Sequence, residues 1–143
     1  MAKVLAESLL WTLEYDEARH LLLARRTKAP WPLDEQGGSF VSLNLTVRAE
    51  GIDPHKTSLL VDLRNSPMRN DEEFEHAIAA RRRELDSALR AFARSAYLVR
   101  TPAGKLQIQR YLREDGVSRP VFDDEAAAIR YLVQRDTVHR TAR

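Results

Sequence analysis

Hydrophobic and polar residues alternate near the start of the chain in the pattern of half-buried β-strands. Every second residue of the segment 11–16 is hydrophobic, and the segment 20–25, with the sequence HLLLAR, is typical of a second strand. The polar residues 16–19 between them have the composition and length of a hairpin connection. The pattern therefore predicts an antiparallel hairpin at one edge of a sheet.

The segment 39–51 fits two patterns. Hydrophobic residues recur there at the spacing of one helical face, Ser39 is suited to the N-cap position, and Gly51 is suited to end the helix. Every second residue from Val41 to Val47 is also hydrophobic, which is the pattern of a strand. The pair of caps and the length of the segment favour a helix.

The rest of the chain alternates hydrophobic strands with amphipathic helices. The predicted strands are 57–63, 95–101 and 119–122, and the predicted helices run from Asn70 to about Arg94, from Pro102 to about Glu114 and from Glu125 to Val133. Alternating strands and helices imply parallel pairing with right-handed crossovers. We therefore expect one α/β domain over residues 1–133, with a mixed, mostly parallel sheet, an antiparallel hairpin edge and four helices. A basic tail, 134–143, follows it.

Composition narrows the classes of protein that this chain can represent. The 143 residues contain no cysteine, which excludes thiol catalysis, disulfide frameworks, zinc ribbons and iron–sulfur clusters. No hydrophobic stretch approaches the roughly 20 residues of a transmembrane helix, and the first 13 residues do not have the pattern of a signal peptide. We therefore expect a cytoplasmic protein, of bacterial type, without a membrane span.

The net charge of +2 conceals a basic region that begins in the predicted long helix. Nine basic residues lie between positions 81 and 113, where the acidic residues are Glu84 and Asp86. Arg83, Arg90 and Arg94 are spaced by seven and four positions, so they can share one helix stripe and are candidate partner-binding residues. The alternative is a solvated face whose arginine stems cover hydrophobic surface. Nucleic acid is not the expected partner, because the sequence has neither a helix-turn-helix nor an RNA-recognition pattern.

The sequence offers little that resembles catalytic chemistry. The histidines at 20, 55, 76 and 139 share no metal-ligand spacing, and neither a phosphate-binding glycine loop nor a GxSxG motif is present. Asp123 and Asp124 form an acidic pair, but they stand where a helix cap is expected. We therefore expect no enzyme activity, no catalytic residue, no metal and no cofactor.

Three longer segments resemble a known family. They are TSLLVDLRNSP running into the long helix, SAYLVRT followed by a helix, and RPVFDDEAAAIRYL at the end. Together they are similar to STAS-type domains, and more narrowly to small stand-alone bacterial proteins related to anti-sigma-factor antagonists, over roughly residues 11–133. The resemblance implies a non-enzymatic signalling module. Such a module acts through contact with a regulatory partner of the kinase or response-regulator type, and phosphorylation of a Ser or Thr after a central strand switches it.

On this resemblance Ser66 is the candidate phosphorylation site, because it is the only hydroxyl residue between Leu59 and Ala80. Arg64 and Arg69 flank it and are further candidates for partner binding. The alternative is that Ser66 belongs to a Ser-Pro turn that merely ends the strand.

A second prediction comes from a different class of protein, a carrier or sensor of a small apolar ligand or lipid. Trp11, Trp31 and Phe40 are the candidate residues for its cleft. The sequence also leaves homodimerisation open, through a sheet edge or through the arginine-rich helix.

Overall fold

The computed structural model describes residues 2–30, 41–67, 69 and 71–134. Within them, six strands, four α-helices and a short 3-10 helix follow one another. In chain order they are β1 (Lys3–Glu7), β2 (Trp11–Asp16), β3 (Leu21–Arg26), α1 (Val41–Ala49), the 3-10 helix (Pro54–Lys56), β4 (Ser58–Asp62), α2 (Glu72–Leu89), β5 (Ser95–Leu98), α3 (Pro102–Glu114), β6 (Val121–Phe122) and α4 (Glu125–Val133).

The six described strands form one sheet, and their order in space, β1-β2-β3-β4-β5-β6, is their order in the chain. The pairs β1–β2 and β2–β3 are antiparallel, whereas β3–β4, β4–β5 and β5–β6 are parallel. Each parallel pair is joined through a helix, because the chain must return to the same end of the sheet before the next strand begins. The predicted α/β class, with a mixed, mostly parallel sheet and an antiparallel start, is confirmed.

The structure contains one strand that the hydrophobic pattern did not predict. β1 pairs with β2 and forms the edge of the sheet, so the predicted hairpin of β2 and β3 lies one strand further in. The register shifts between Val4 and Ala6, which marks an irregularity of the β-bulge type in this pairing. Such an irregularity breaks the period of two on which strand prediction depends.

The two faces of the sheet are covered differently. Right-handed crossovers between strands that are consecutive neighbours all return on one side, so α1, α2 and α3 pack on the same face. Leu59 and Val61 of β4 belong to the core on this face. Leu60 between them belongs to the core on the opposite face, where α4 packs through Ala128 and Leu132.

The segment that fitted both patterns is a helix, α1. Leu43 and Val47 are buried in the core, whereas Leu45, which a strand would have buried with them, is 59% exposed. Gly51 follows the helix with a φ of 71°, a left-handed conformation that favours glycine and stops the helix. The other residues named for this region, Trp31, Ser39 and Phe40, lie outside the described residues.

The long helix α2 is shorter than predicted at both ends. Its N-cap is Asp71, whose carboxylate accepts a hydrogen bond from the backbone N–H of Phe74, and not Asn70. It ends at Leu89 rather than at Arg94, since the carbonyl of Arg94 already accepts a hydrogen bond from the backbone N–H of Leu59 in β4. Arg94 therefore belongs to the approach to β5 and does not share a helix stripe with the arginines of α2.

The remaining elements follow the prediction closely. α3 and α4 have the predicted bounds, with Thr101 and Asp124 as N-caps whose side chains accept from Gly104 and Ala127. The strands β4, β5 and β6 are shorter than predicted. None of the helices in the described residues is long and apolar enough to cross a membrane. All but the first residue of the predicted tail lies outside the described chain.

Candidate ligand-binding cavity

A cavity of about 270 Å³ lies between α2 and α3, over the face of the sheet that these helices cover. Sites for small molecules typically have volumes of roughly 300–1,000 Å³, so this cavity suits a ligand at the small end of that range. Protein interiors are otherwise packed about as densely as organic crystals. A space of this size between two helices is therefore a candidate site for a ligand.

Most of the cavity wall is hydrophobic. The contributing side chains are Phe74, Ile78 and Leu85 from α2, Ile108 and Leu112 from α3, and Trp11, Tyr97 and Val99 from the sheet and the residue that follows β5. The three α2 residues are spaced by four and seven positions, which places them on one stripe of the helix. α2 and α3 thus turn hydrophobic stripes toward the same space.

One end of the cavity, here called the rim, lies at the carboxyl ends of β4 and β5. Arg64, Ser66 and Arg69 reach it from the segment after β4, and Arg100 and Thr101 reach it from the connection to α3. The rim is polar and basic, whereas the wall beyond it is hydrophobic.

Hydrogen bonds hold the rim together across the cavity. The guanidinium of Arg69 donates to both carboxylate oxygens of Asp71, at 2.8 and 2.6 Å, and lies 5.3 Å from the ring centre of Phe74. The side-chain amide of Gln107 donates to the carbonyl oxygen of Arg69 and to the Tyr111 hydroxyl, each at 2.8 Å. Because Gln107 belongs to α3 and Arg69 precedes α2, this amide bridges the two sides of the cavity.

The opposite end, here called the inner end, is defined by Arg82, Asp86, Tyr97, Asp115 and Arg119. Two ion pairs lie there. Arg119 is 2.7 Å from Asp86, with both side chains no more than 15% exposed, and Arg82 is 3.2 Å from Asp115. Each positive charge at the inner end therefore has a negative partner.

Tyr97 is the buried phenol of the inner end. It is 8% exposed, and burial raises the pKa of its hydroxyl to about 12. Among residues 2–30, 41–67, 69 and 71–134, no group forms a hydrogen bond with this hydroxyl. The Tyr97 hydroxyl is therefore free to form a hydrogen bond with a molecule in the cavity.

The run of arginines on α2 divides between the cavity and the surface. Arg81 is 9% exposed and lines the cavity, and Arg82 lies over the Tyr111 ring with its guanidinium carbon 4.3 Å from the ring centre. Arg83 is exposed. Successive helical residues are rotated by about 100°, so three consecutive arginines cannot share one face. The basic run is therefore not a single solvated surface.

The structure places the candidate phosphorylation site at the rim. Ser66 is half-buried there, in the turn that follows β4. Both flanking arginines bind carboxylates. Arg69 pairs with Asp71, and Arg64 belongs to a charge cluster on the face of the sheet that α4 covers.

That charge cluster consists of Glu14, Arg25, Asp62, Arg64 and Glu125. Arg25 donates to Asp62 at 2.7 Å, to Glu125 at 2.8 Å and to Glu14 at 3.0 Å, and Arg64 donates to Asp62 and Glu125 at 2.8 to 3.0 Å. Burial acts to raise the pKa of Asp62, but hydrogen bonds from Arg64 and Arg25 outweigh burial and hold it below its ordinary value. The cluster ties the sheet to the first turn of α4.

The three arginines proposed as one stripe are not brought together. Arg83 is exposed on α2, and Arg90, at the end of α2, forms an ion pair with Asp86 at 2.9 Å. Arg94 lies on the other side of the sheet. It donates to the carbonyl oxygen of Tyr131 at 2.8 Å, and its guanidinium carbon is 5.4 Å from the centre of the Tyr131 ring. Arg94 thus helps to hold α4.

Of the residues predicted to line a cleft, Trp11 lines the cavity. Trp31 and Phe40 lie outside the described residues. Sequence reasoning missed Tyr97 and Gln107, and it named Arg64, Ser66 and Arg69 for a different role. A usable signal was present at Tyr97, whose hydroxyl stands in an otherwise apolar stretch of the predicted strand 95–101.

Comparisons with family models, with curated proteins and with solved structures found no match to this chain. In the described part of the chain, no group of three or more acidic or histidine side chains is arranged to hold a metal ion.

Proposed function

We propose that this protein is a non-enzymatic carrier or sensor that binds a small, largely apolar ligand in the cavity between α2 and α3. The observation that carries the proposal is the cavity itself, with a hydrophobic wall and a polar rim at the carboxyl ends of β4 and β5. The hydrophobic side chains of the wall can make dispersion contacts with a bound apolar molecule. Trp11 in the wall supports the earlier prediction of an aromatic-lined cleft.

The chemistry of the wall supports a binding role rather than catalysis. None of the described histidines, His20, His55 and His76, lines the cavity, and its carboxylates Asp86 and Asp115 are held in ion pairs with arginines. General acid–base catalysis needs a titratable group that can exchange a proton with the substrate. With the sequence features given above, we also propose that the protein acts in the cytoplasm.

Titration with the neutral fluorescent probe N-phenyl-1-naphthylamine tests the proposal. We expect saturable binding by the wild-type protein, because the probe is apolar and small. Ile108→Trp places a larger side chain in the cavity wall and should reduce the affinity at least tenfold. Ile129→Trp is the matched control, because Ile129 is also a half-buried helical isoleucine but belongs to α4, on the other face of the sheet.

Thermal unfolding of both variants establishes that they fold. The absence of saturable probe binding by the wild-type protein would contradict the proposal. Equal binding by Ile108→Trp and Ile129→Trp would contradict it as well, since the probe would then bind somewhere other than the cavity.

A second proposal keeps the regulatory role that the family resemblance implies. The observation that favours it is the position of Ser66 at the rim, in a turn between the cavity and the charge cluster. A phosphate group there would add about −2 charge close to the acidic start of α2 and would compete for Arg64 and Arg69. Phosphorylation at Ser66 would therefore alter the surface that a kinase or response-regulator partner meets.

The variant Ser66→Asp tests this second proposal. Proteins retained by immobilised wild-type chain and by the variant are quantified by mass spectrometry, with Ser87→Asp on the exposed surface of α2 as the control. We expect a kinase or response regulator that binds the wild-type and Ser87→Asp chains to be lost with Ser66→Asp. Identical retention by all three chains would exclude a switch at Ser66.

A further inference from the structure

The inner end of the cavity gives information about the polarity of the ligand. Tyr97 extends from β5 into the space between α2 and α3, and its hydroxyl has no hydrogen-bond partner in the described chain. The hydroxyl is accessible from the cavity, so it can form a hydrogen bond with a molecule there. A polar atom of a ligand is the missing partner that this position would accept.

The charges around Tyr97 determine which kind of polar atom fits. The four charged groups whose fields reach its hydroxyl are Arg82, Asp86, Asp115 and Arg119, two of each sign, and they form two ion pairs. A ligand carboxylate at this end would face Asp86 and Asp115, and a ligand ammonium would face the two arginines. Either charge would lose its hydration beside charges that are already paired, whereas Arg82 Nε, a buried donor without a partner in the described chain, can be satisfied by a neutral oxygen.

We infer that the ligand is an uncharged molecule with one hydroxyl or carbonyl group, which forms a hydrogen bond with the Tyr97 hydroxyl at the inner end of the cavity. This inference rests on the proposed function, because it names the class of molecule that the same cavity binds. A hydrophobic body of the ligand would lie against Phe74, Ile78 and Ile108. The hydroxyl of a tyrosine can both donate and accept, so an alcohol, a phenol or a ketone satisfies it.

The protonation state of Tyr97 supports this class of ligand. Because burial raises the pKa of the hydroxyl to about 12, the group is a neutral phenol throughout the physiological range. A neutral phenol donates a hydrogen bond without introducing charge into an apolar cavity. The Tyr97 hydroxyl therefore distinguishes between ligands by hydrogen bonding rather than by charge.

Four naphthalene derivatives of nearly equal size test the inference. Naphthalene, 2-naphthol, 2-naphthoate and 2-naphthylmethylammonium are used at neutral pH to displace N-phenyl-1-naphthylamine from the wild-type protein. We expect 2-naphthol to bind about three- to tenfold more tightly than naphthalene, the gain typical of one hydrogen bond. The anion and the cation should bind more weakly than 2-naphthol by at least tenfold.

The variant Tyr97→Phe removes the hydroxyl and leaves the ring in place. We expect 2-naphthol and naphthalene to bind this variant within about twofold of each other, while naphthalene keeps its wild-type affinity. Tyr15→Phe is the matched control, because Tyr15 is also in the sheet but does not line the cavity. Tyr97→Phe should unfold at the same temperature as the wild type or a higher one, since it loses no protein hydrogen bond.

The outcomes separate this inference from the proposed function. If none of the four compounds displaces the probe, or if the probe itself does not bind, the proposed function fails. If naphthalene binds as well as 2-naphthol, if 2-naphthoate binds more tightly than 2-naphthol, or if Tyr97→Phe keeps the preference for 2-naphthol, the cavity binds ligands but the inference is wrong.

Discussion

Asp62 is the residue on which the charge cluster depends. It is 4% exposed and accepts hydrogen bonds from the guanidinium groups of Arg25 and Arg64. A buried carboxylate is tolerated here because two arginines compensate it. Because the pKa of Asp62 is lowered in the folded protein, folding is more favourable when this carboxyl group is ionised.

We predict that Asp62→Asn lowers the free energy of unfolding by about 2 kcal/mol near neutral pH, because it removes the buried carboxylate that accepts hydrogen bonds from Arg25 and Arg64. The folded-state pKa is lowered, so the stabilisation is present above the ordinary pKa of 3.8 and is lost as the pH falls through the lower value in the folded protein. The variant should therefore show a flatter dependence of stability on pH below 3.8 than the wild type. Urea unfolding at several pH values measures both effects.

The control for this measurement is Glu17→Gln, which removes a negative charge from the exposed turn between β2 and β3. It should leave the unfolding free energy within about 0.5 kcal/mol of the wild type. A pH profile of Asp62→Asn that follows the wild-type profile would show that Asp62 does not contribute to acid sensitivity.

At the scale of the element, α4 depends on its first turn because it is short and packs on a face that no other described helix covers. Asp124 caps the helix by accepting from the backbone N–H of Ala127, and Glu125 joins the charge cluster. The sequence pattern predicts a cap at the pair Asp123 and Asp124, and the cap is the second of them, Asp124.

We predict that Asp124→Ala lowers the free energy of unfolding by about 1 kcal/mol, the usual cost of removing an N-cap side chain. Asp123→Ala, at the neighbouring exposed position, should change it by less than about 0.5 kcal/mol, and Asp124→Asn should restore most of the loss. Chemical unfolding of the three variants measures these differences. Equal destabilisation by the two alanine variants would show that the pair acts through its charge rather than through the cap.

The elements also show which sequence signals were sufficient. α3 and α4 were predicted to the residue because a proline or an acidic pair marks their starts and the hydrophobic spacing is regular. The predicted end of α2 at Arg94 is wrong. Phe92 is buried and continues the apparent helical stripe, although the chain has already turned toward β5. β1 was missed because the irregularity in its pairing removes the alternation.

At the scale of the whole molecule, the α/β class could be predicted from the alternation of elements, but the cavity could not. A cavity depends on the distance between two helices, and a hydrophobic stripe looks the same in a sequence whether it packs tightly or lines an open space. The arginine run illustrates this limit. Its charge was evident, yet only the helix rotation assigns Arg81 and Arg82 to the interior and Arg83 to solvent.

The order of the strands has a consequence for how such a cavity can change. In the described sheet the chain order and the spatial order coincide, so the sheet has no point at which successive connections diverge to opposite sides and open a crevice. Room for a ligand has to come from the gap between two adjacent helices on one side. Substitutions at inward positions of α2 and α3 can therefore enlarge, shorten or reshape the binding space one side chain at a time, without disturbing strand pairing. A scaffold of this kind can change its ligand while it conserves its sheet.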